Sequence, residues 1–64
     1  MLTAERMYPS LPALKKALKS RVPIFVEGDV QDGWHTVYFR KSGGGVKFSA
    51  ECRVEDGQIK EVAT

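Results

Sequence analysis

Residues 46–54 read Val46-Lys47-Phe48-Ser49-Ala50-Glu51-Cys52-Arg53-Val54. The apolar Val46, Phe48, Ala50, Cys52 and Val54 alternate with the polar Lys47, Ser49, Glu51 and Arg53. A period of two sustained over this length predicts a β-strand with one face buried and the other wet. Working outward, Ser42-Gly43-Gly44-Gly45 precedes it as a turn, and the segment before that, Trp34 to Lys41, alternates in the same sense. Pairing the two across the glycine turn sets Lys41 opposite Val46, Phe39 opposite Phe48 and Val37 opposite Ala50, so the apolar side chains share one face. Asp56-Gly57 then closes a second hairpin onto a short edge strand, Ile59 to Ala63, whose charges discourage edge-to-edge aggregation.

Upstream, Asp32-Gly33 is a two-residue hairpin signal. It predicts Val30 opposite His35, Gly28 opposite Val37 and Val26 opposite Phe39. Further upstream, Ser10 is a good N-cap, and Pro12 is tolerated in a first turn because its missing N–H would be unbonded there anyway. Leu11, Leu14, Ala17 and Leu18 recur at helical spacing, with Lys15, Lys16 and Lys19 on the other face, and Pro23 ends the helix near Ser20 or Arg21. Lysines at that end also suit the helix dipole. Residues 1–9 are expected to form a flexible or short-turn segment, with Thr3 capping a turn to Met7 and Pro9 breaking it. The expected fold is α+β: an N-terminal helix packed on one face of a four-stranded antiparallel β-meander, α-β-β-β-β, with Leu11, Leu14 and Leu18 against Val26, Val37, Phe39, Phe48 and Val54.

The chain has 64 residues, which is one small domain, 1–64. A domain of that size buries only about 60% of the surface its unfolded chain exposes. The single cysteine, Cys52, makes no internal disulfide, and there is no Cys/His cluster for a structural zinc. Self-association is a remaining source of stability, so a homodimer is expected. One cysteine, no apolar run near the ~20 residues that span a bilayer, and no basic-then-apolar leader suit a cytoplasmic protein with no membrane partner. The initial Met is expected of a whole small gene product rather than an excised domain. Net charge is +2 and uneven: residues 1–26 balance to +4 and the remainder to −2. That distribution can suit an anionic partner for the helical part, but a solvated charged face is the simpler reading of Lys15, Lys16 and Lys19.

With one helix, the second face of the sheet has nothing in the chain to cover it. In the register above it carries Phe25, Trp34, Tyr38, Arg40, Lys47 and Arg53, with Glu27, Thr36, Ser49 and Glu51 among them. Aromatic rings interleaved with cations suit single-stranded DNA or RNA, since bases stack on rings and phosphates meet cations. Arg40 opposite Lys47 breaks a pairing rule, because like charges directly opposed destabilise a sheet. An anion between them would relieve it. The plainer reading has Phe25 stacked on Arg40 and Trp34 on Arg53, with the cations splayed into water. Aromatic and Arg enrichment also marks protein interfaces, so an inhibitor, adaptor or homodimeric subunit is the alternative.

Catalytic chemistry is poorly supplied. His35 and Cys52 share the inner face, and a Cys–His pair can make a reactive thiolate, but no third group orients the histidine. A buried structural cysteine explains the pattern better. Ser42–Gly45 lacks the Gly-Lys-Ser/Thr ending of a phosphate loop and joins two strands. Asp29 to Asp32 lacks the ligand count of a calcium loop. The stretch from Gly33-Trp34 through Arg40-Lys41-Ser42-Gly43 resembles the start of the HicA-like toxin ribonucleases, small proteins with a double-stranded-RNA-binding-domain-like fold. It departs where that family's histidine would stand, since Gly44 and Gly45 follow the Ser-Gly turn, and a strand rather than a helix is expected before Gly33. The expected function is therefore non-enzymatic binding with no cofactor and no metal.

Overall fold

The computed structural model describes residues 2–63. Its elements are β1 (Thr3–Ala4), α1 (Leu11–Lys19), β2 (Val26–Glu27), β3 (Gly33–Arg40), β4 (Val46–Glu55) and β5 (Gln58–Val62). The class is α+β, but the sheet is five-stranded and mixed, in the order β2-β1-β3-β4-β5. The expected four-stranded antiparallel meander is corrected on this point. The N-terminal segment supplies a strand that enters between β2 and β3, antiparallel to the first and parallel to the second.

Burial explains that insertion. Ala4 is buried opposite Val26, and Thr3 lies opposite both Glu27 and Tyr38. Backbone bonds run from Glu5 N–H to Phe25 C=O at 2.8 Å and from Tyr38 N–H to Leu2 C=O at 2.8 Å. Leu2 and Ala4 thus bring apolar surface, and this segment brings backbone partners for both neighbouring strands, to a place the downstream segment fills poorly. Residues 28–32, Gly-Asp-Val-Gln-Asp, have low strand propensity and form a loop instead. The Asp32-Gly33 hairpin is absent: β2 makes no pair with β3, and the expected registers at Val30–His35, Gly28–Val37 and Val26–Phe39 do not occur. The Asp32 side chain instead accepts a hydrogen bond from Asp56 N–H at 3.1 Å, tying this loop to the β4–β5 turn.

The two downstream hairpins follow the alternation closely. Val37 lies opposite Ala50 and Phe39 opposite Phe48. Glu55 pairs with Gln58 around Asp56-Gly57, whose φ values of 52° and 75° are the left-handed pair that a two-residue turn matched to sheet twist requires. Between Phe39 and Arg40 the register slips by one, so that Arg40 faces Val46 and Lys47 is the extra residue of a bulge. The expected Arg40–Lys47 opposition is corrected: the bulge separates the like charges, and Arg40 pairs with Glu27.

The sheet also closes on itself. Residues 24–26, beside β1 on one side, meet β5 on the other: Phe25 bridges Gln58, Val26 N–H bonds Gly57 C=O at 3.0 Å, and Ile59 N–H bonds Ile24 C=O at 2.8 Å. The core inside comprises Ala4, Leu14, Ile24, Val26, Val37, Phe39, Cys52, Val54 and Ile59. The helix lies against β5 and commits Leu14 fully, with Leu11, Ala17 and Leu18 partly buried around it. The Ser10 hydroxyl accepts from Ala13 N–H at 3.4 Å, as its N-cap role demands. At the other end Arg21 N–H bonds Leu18 C=O and Val22 N–H bonds Ala17 C=O, both at 3.1 Å, with Arg21 at φ 59°. That is a Schellman cap with arginine in the left-handed position that glycine usually fills.

Candidate functional site

The six residues singled out from the sequence are spread over the outer side of the sheet, from the β2–β5 seam to the β3–β4 turn. Trp34 stands directly opposite Arg53, and Arg53 opposite Glu61, in a row across β3, β4 and β5. Trp34 is 51% exposed. A second row runs Glu27, Thr3, Tyr38 and Ser49 across β2, β1, β3 and β4. Phe25, 43% exposed, sits at the seam beside Gln58, with β1 between its strand and β3. Arg40 and Lys47 lie at the far end of the β3–β4 hairpin, where both line a shallow cleft with Met7, Tyr8, Pro9, Lys41 and Ser42. Closure of the sheet makes the expected open face the convex outside of a small barrel.

Its cations are mostly engaged. Arg40 hydrogen-bonds Glu27. Arg53 donates from Nε to Glu61 at 2.8 Å and from a terminal nitrogen to Glu55 at 3.4 Å. Thr36 donates to Glu51 across the same face. The stacking expected of Phe25 on Arg40 and Trp34 on Arg53 gives way to carboxylate pairing. Such exposed pairs contribute little to stability, roughly 0–1 kcal/mol each, but they neutralise the face. Lys47 makes no ion pair among the described residues.

His35 and Cys52 are direct cross-strand neighbours. They do not form a nucleophile pair: His35 Nε2 lies 2.7 Å from Gln31 C=O, and the Cys52 thiol donates weakly to Ala50 C=O at 3.6 Å. Burial, aided by the Glu51 charge beside it, pushes the Cys52 thiol from an ordinary 9.0 up to about 11. The thiol is therefore protonated and sheltered at neutral pH. A raised folded pKa means that stability is complete below pH 9 and falls as pH rises from 9 toward 11, because only the unfolded chain gives up the proton there. Denaturation of the wild type compared with Cys52→Ala across that window should show the difference between them shrink with rising pH, by on the order of 2 kcal/mol. A constant difference would refute the assignment.

Among the described residues no group of three His, Cys, Asp or Glu side chains could hold a metal ion, and no helix is long and apolar enough to cross a membrane. No family model, no curated protein and no solved structure matches this chain.

The sequence reading missed one grouping. A cleft of about 700 Å³ lies between α1 and β5 and is lined by Pro12, Lys15, Lys16, Leu18, Lys19, Lys60, Glu61 and Val62. The helix lysines were visible in the sequence, but their juxtaposition with Lys60 was not. The β4–β5 register slips between Arg53 and Val54, opposing Val54 to Ile59 rather than Lys60, so Lys60 is the extra residue of a second bulge. No spacing rule announces that slip.

Proposed function

We propose that this chain is a non-enzymatic binding module whose working surface is the outer sheet face around Trp34, and that the surface takes a protein rather than a nucleic-acid strand. The observation that carries the choice is the pairing of Arg40 with Glu27 and of Arg53 with Glu61 and Glu55. A strand of phosphates needs uncommitted cations, and displacing these carboxylates would work against binding. A half-exposed tryptophan beside a braced arginine is instead the composition of a protein interface, where Trp and Arg carry most of the affinity. The simplest partner is a second copy, given how little core a 64-residue chain can assemble. The sheltered, unpaired cysteine fits a reducing compartment, and we place the protein in the cytoplasm.

Sedimentation over a range of concentrations, with Trp34 fluorescence read in parallel, tests this. The expected result is concentration-dependent association with a blue shift of the emission, abolished in Trp34→Ala. Short single-stranded DNA and RNA should give no saturable quenching at low salt. A monomer at every concentration whose Trp34 is quenched saturably, and less so as salt rises, would return the face to nucleic acid. A monomer that neither quenches nor shifts would overturn the face as a binding surface.

A further inference from the structure

We infer that the cleft between α1 and β5 is a second, separate binding site, and that its occupant is an acidic peptide segment that adds as an extended strand to the free edge of β5. This inference goes beyond the reading of the Trp34 face and does not depend on it.

Two independent observations point to the same occupant. The first is charge. Lys15, Lys16 and Lys19 from the helix and Lys60 from the strand converge on one concavity, and none of them forms an ion pair among the described residues. Among the described residues the one carboxylate in the lining, Glu61, is held by Arg53 on the outer face. Like-charged side chains gathered around a cleft focus an attractive field for an anion.

The second is the strand edge. β5 is the last strand of the order, and closure covers only its start, where Ile59 N–H bonds Ile24 C=O. Beyond that point, among the described residues, β5 has a neighbouring strand on one side alone. Ala63 N–H bonds Glu51 C=O at 2.9 Å, so Ala63 faces β4. Backbone groups of successive strand residues point to opposite sides, which turns the N–H and C=O of Val62 away from β4, toward the side without a strand. An unpaired edge of this kind rewards another backbone.

The floor decides between polyanions. It is aliphatic, made by Pro12, Leu18 and Val62, with no aromatic ring on which a base could stack. A peptide that alternates acidic and apolar side chains would satisfy all three features: backbone to the edge, apolar residues to the floor, carboxylates to the lysines. The volume, about 700 Å³, suits a few residues rather than a folded domain.

The test uses a fluorescently labelled peptide alternating glutamate and valine over roughly eight residues, a common strand length. Anisotropy should show saturable binding that weakens with salt. The double variant Lys16→Gln/Lys19→Gln, at two exposed positions, should weaken it about tenfold or more, as should Lys60→Gln on the other wall. Amide exchange at Val62 should slow when peptide is bound, and Trp34→Ala should bind as the wild type does. Unchanged affinity in folded lysine variants would overturn the inference. So would unaltered Val62 exchange together with full competition by a single-stranded oligonucleotide, which would mark a general polyanion surface. Loss of binding in Trp34→Ala alone would assign the peptide to the sheet face instead.

Discussion

Replacing Phe39 with alanine should leave a chain that does not fold at room temperature. Phe39 is fully buried and lies at the centre of the only aromatic cluster among the described residues. Its ring stacks on Phe48 at a centroid distance of 4.7 Å and meets Tyr8 edge-on at 6.2 Å. Removing a buried phenylalanine costs about 3–5 kcal/mol in transfer energy and residual cavity. A domain of this length has a total stability on the order of 3–10 kcal/mol, toward the lower end for one without disulfide or metal. The loss is therefore comparable with the whole. Phe39→Leu keeps most of the volume and should cost less than half as much. Urea or thermal denaturation followed by circular dichroism reads both. An alanine variant melting within a few degrees of wild type would mean the ring is not the centre of the core.

Removing residues 1–5 should be as damaging, although nothing in their composition marks them as structural. Their loss takes out β1 and opens a strand-wide gap between β2 and β3. The N–H of Tyr38 and the C=O of Phe25 lose their partners, and Val26 loses Ala4 from its face. Unpaired backbone groups at the heart of a sheet are costly, and direct pairing of β2 with β3 would have to close a gap the width of a strand. The expected result is loss of the dispersed amide spectrum, regained when a synthetic peptide of residues 1–9 is added in trans. A truncated chain that melts at the wild-type temperature would show that β1 is an ornament on a complete sheet.

These two experiments separate what the sequence discloses from what it hides. Phe39 and Phe48 could be placed face to face from alternation and one glycine turn, because a hairpin register is a local property: the turn fixes the offset and the period of two does the rest. The helix was readable for the same reason, since Ser10, Pro12 and the leucine spacing all lie within its own span. The place of residues 3–4 is a different kind of fact. A two-residue strand has no period to detect, and its partners lie more than twenty residues away on one side and more than thirty on the other. Asp32-Gly33 misleads for a related reason. The dipeptide is a good turn, but a turn makes a hairpin only if the flanking strand is long enough, and β2 is two residues long. The candidate site inherits that error. Phe25 was grouped with Tyr38 and Trp34 by a register that does not occur, whereas Trp34 and Arg53 were joined correctly because their hairpin was read correctly. The α1–β5 cleft depends on sheet closure and on the bulge at Lys60, both tertiary outcomes.

The central position of β1 also bears on how the chain can assemble over time. β1 has no lasting neighbour until residues 33–40 exist, since its antiparallel ladder with β2 is only two residues long. The Ile24 carbonyl waits for Ile59, so the ring of hydrogen bonds cannot shut until β5 is present. Pairings this remote in sequence carry a large loop-closure entropy before they return any stability, and they slow the search. The β3–β4–β5 meander is the natural first structure, and the N-terminal residues would thread in last, as the step that converts an open curved sheet into a closed one.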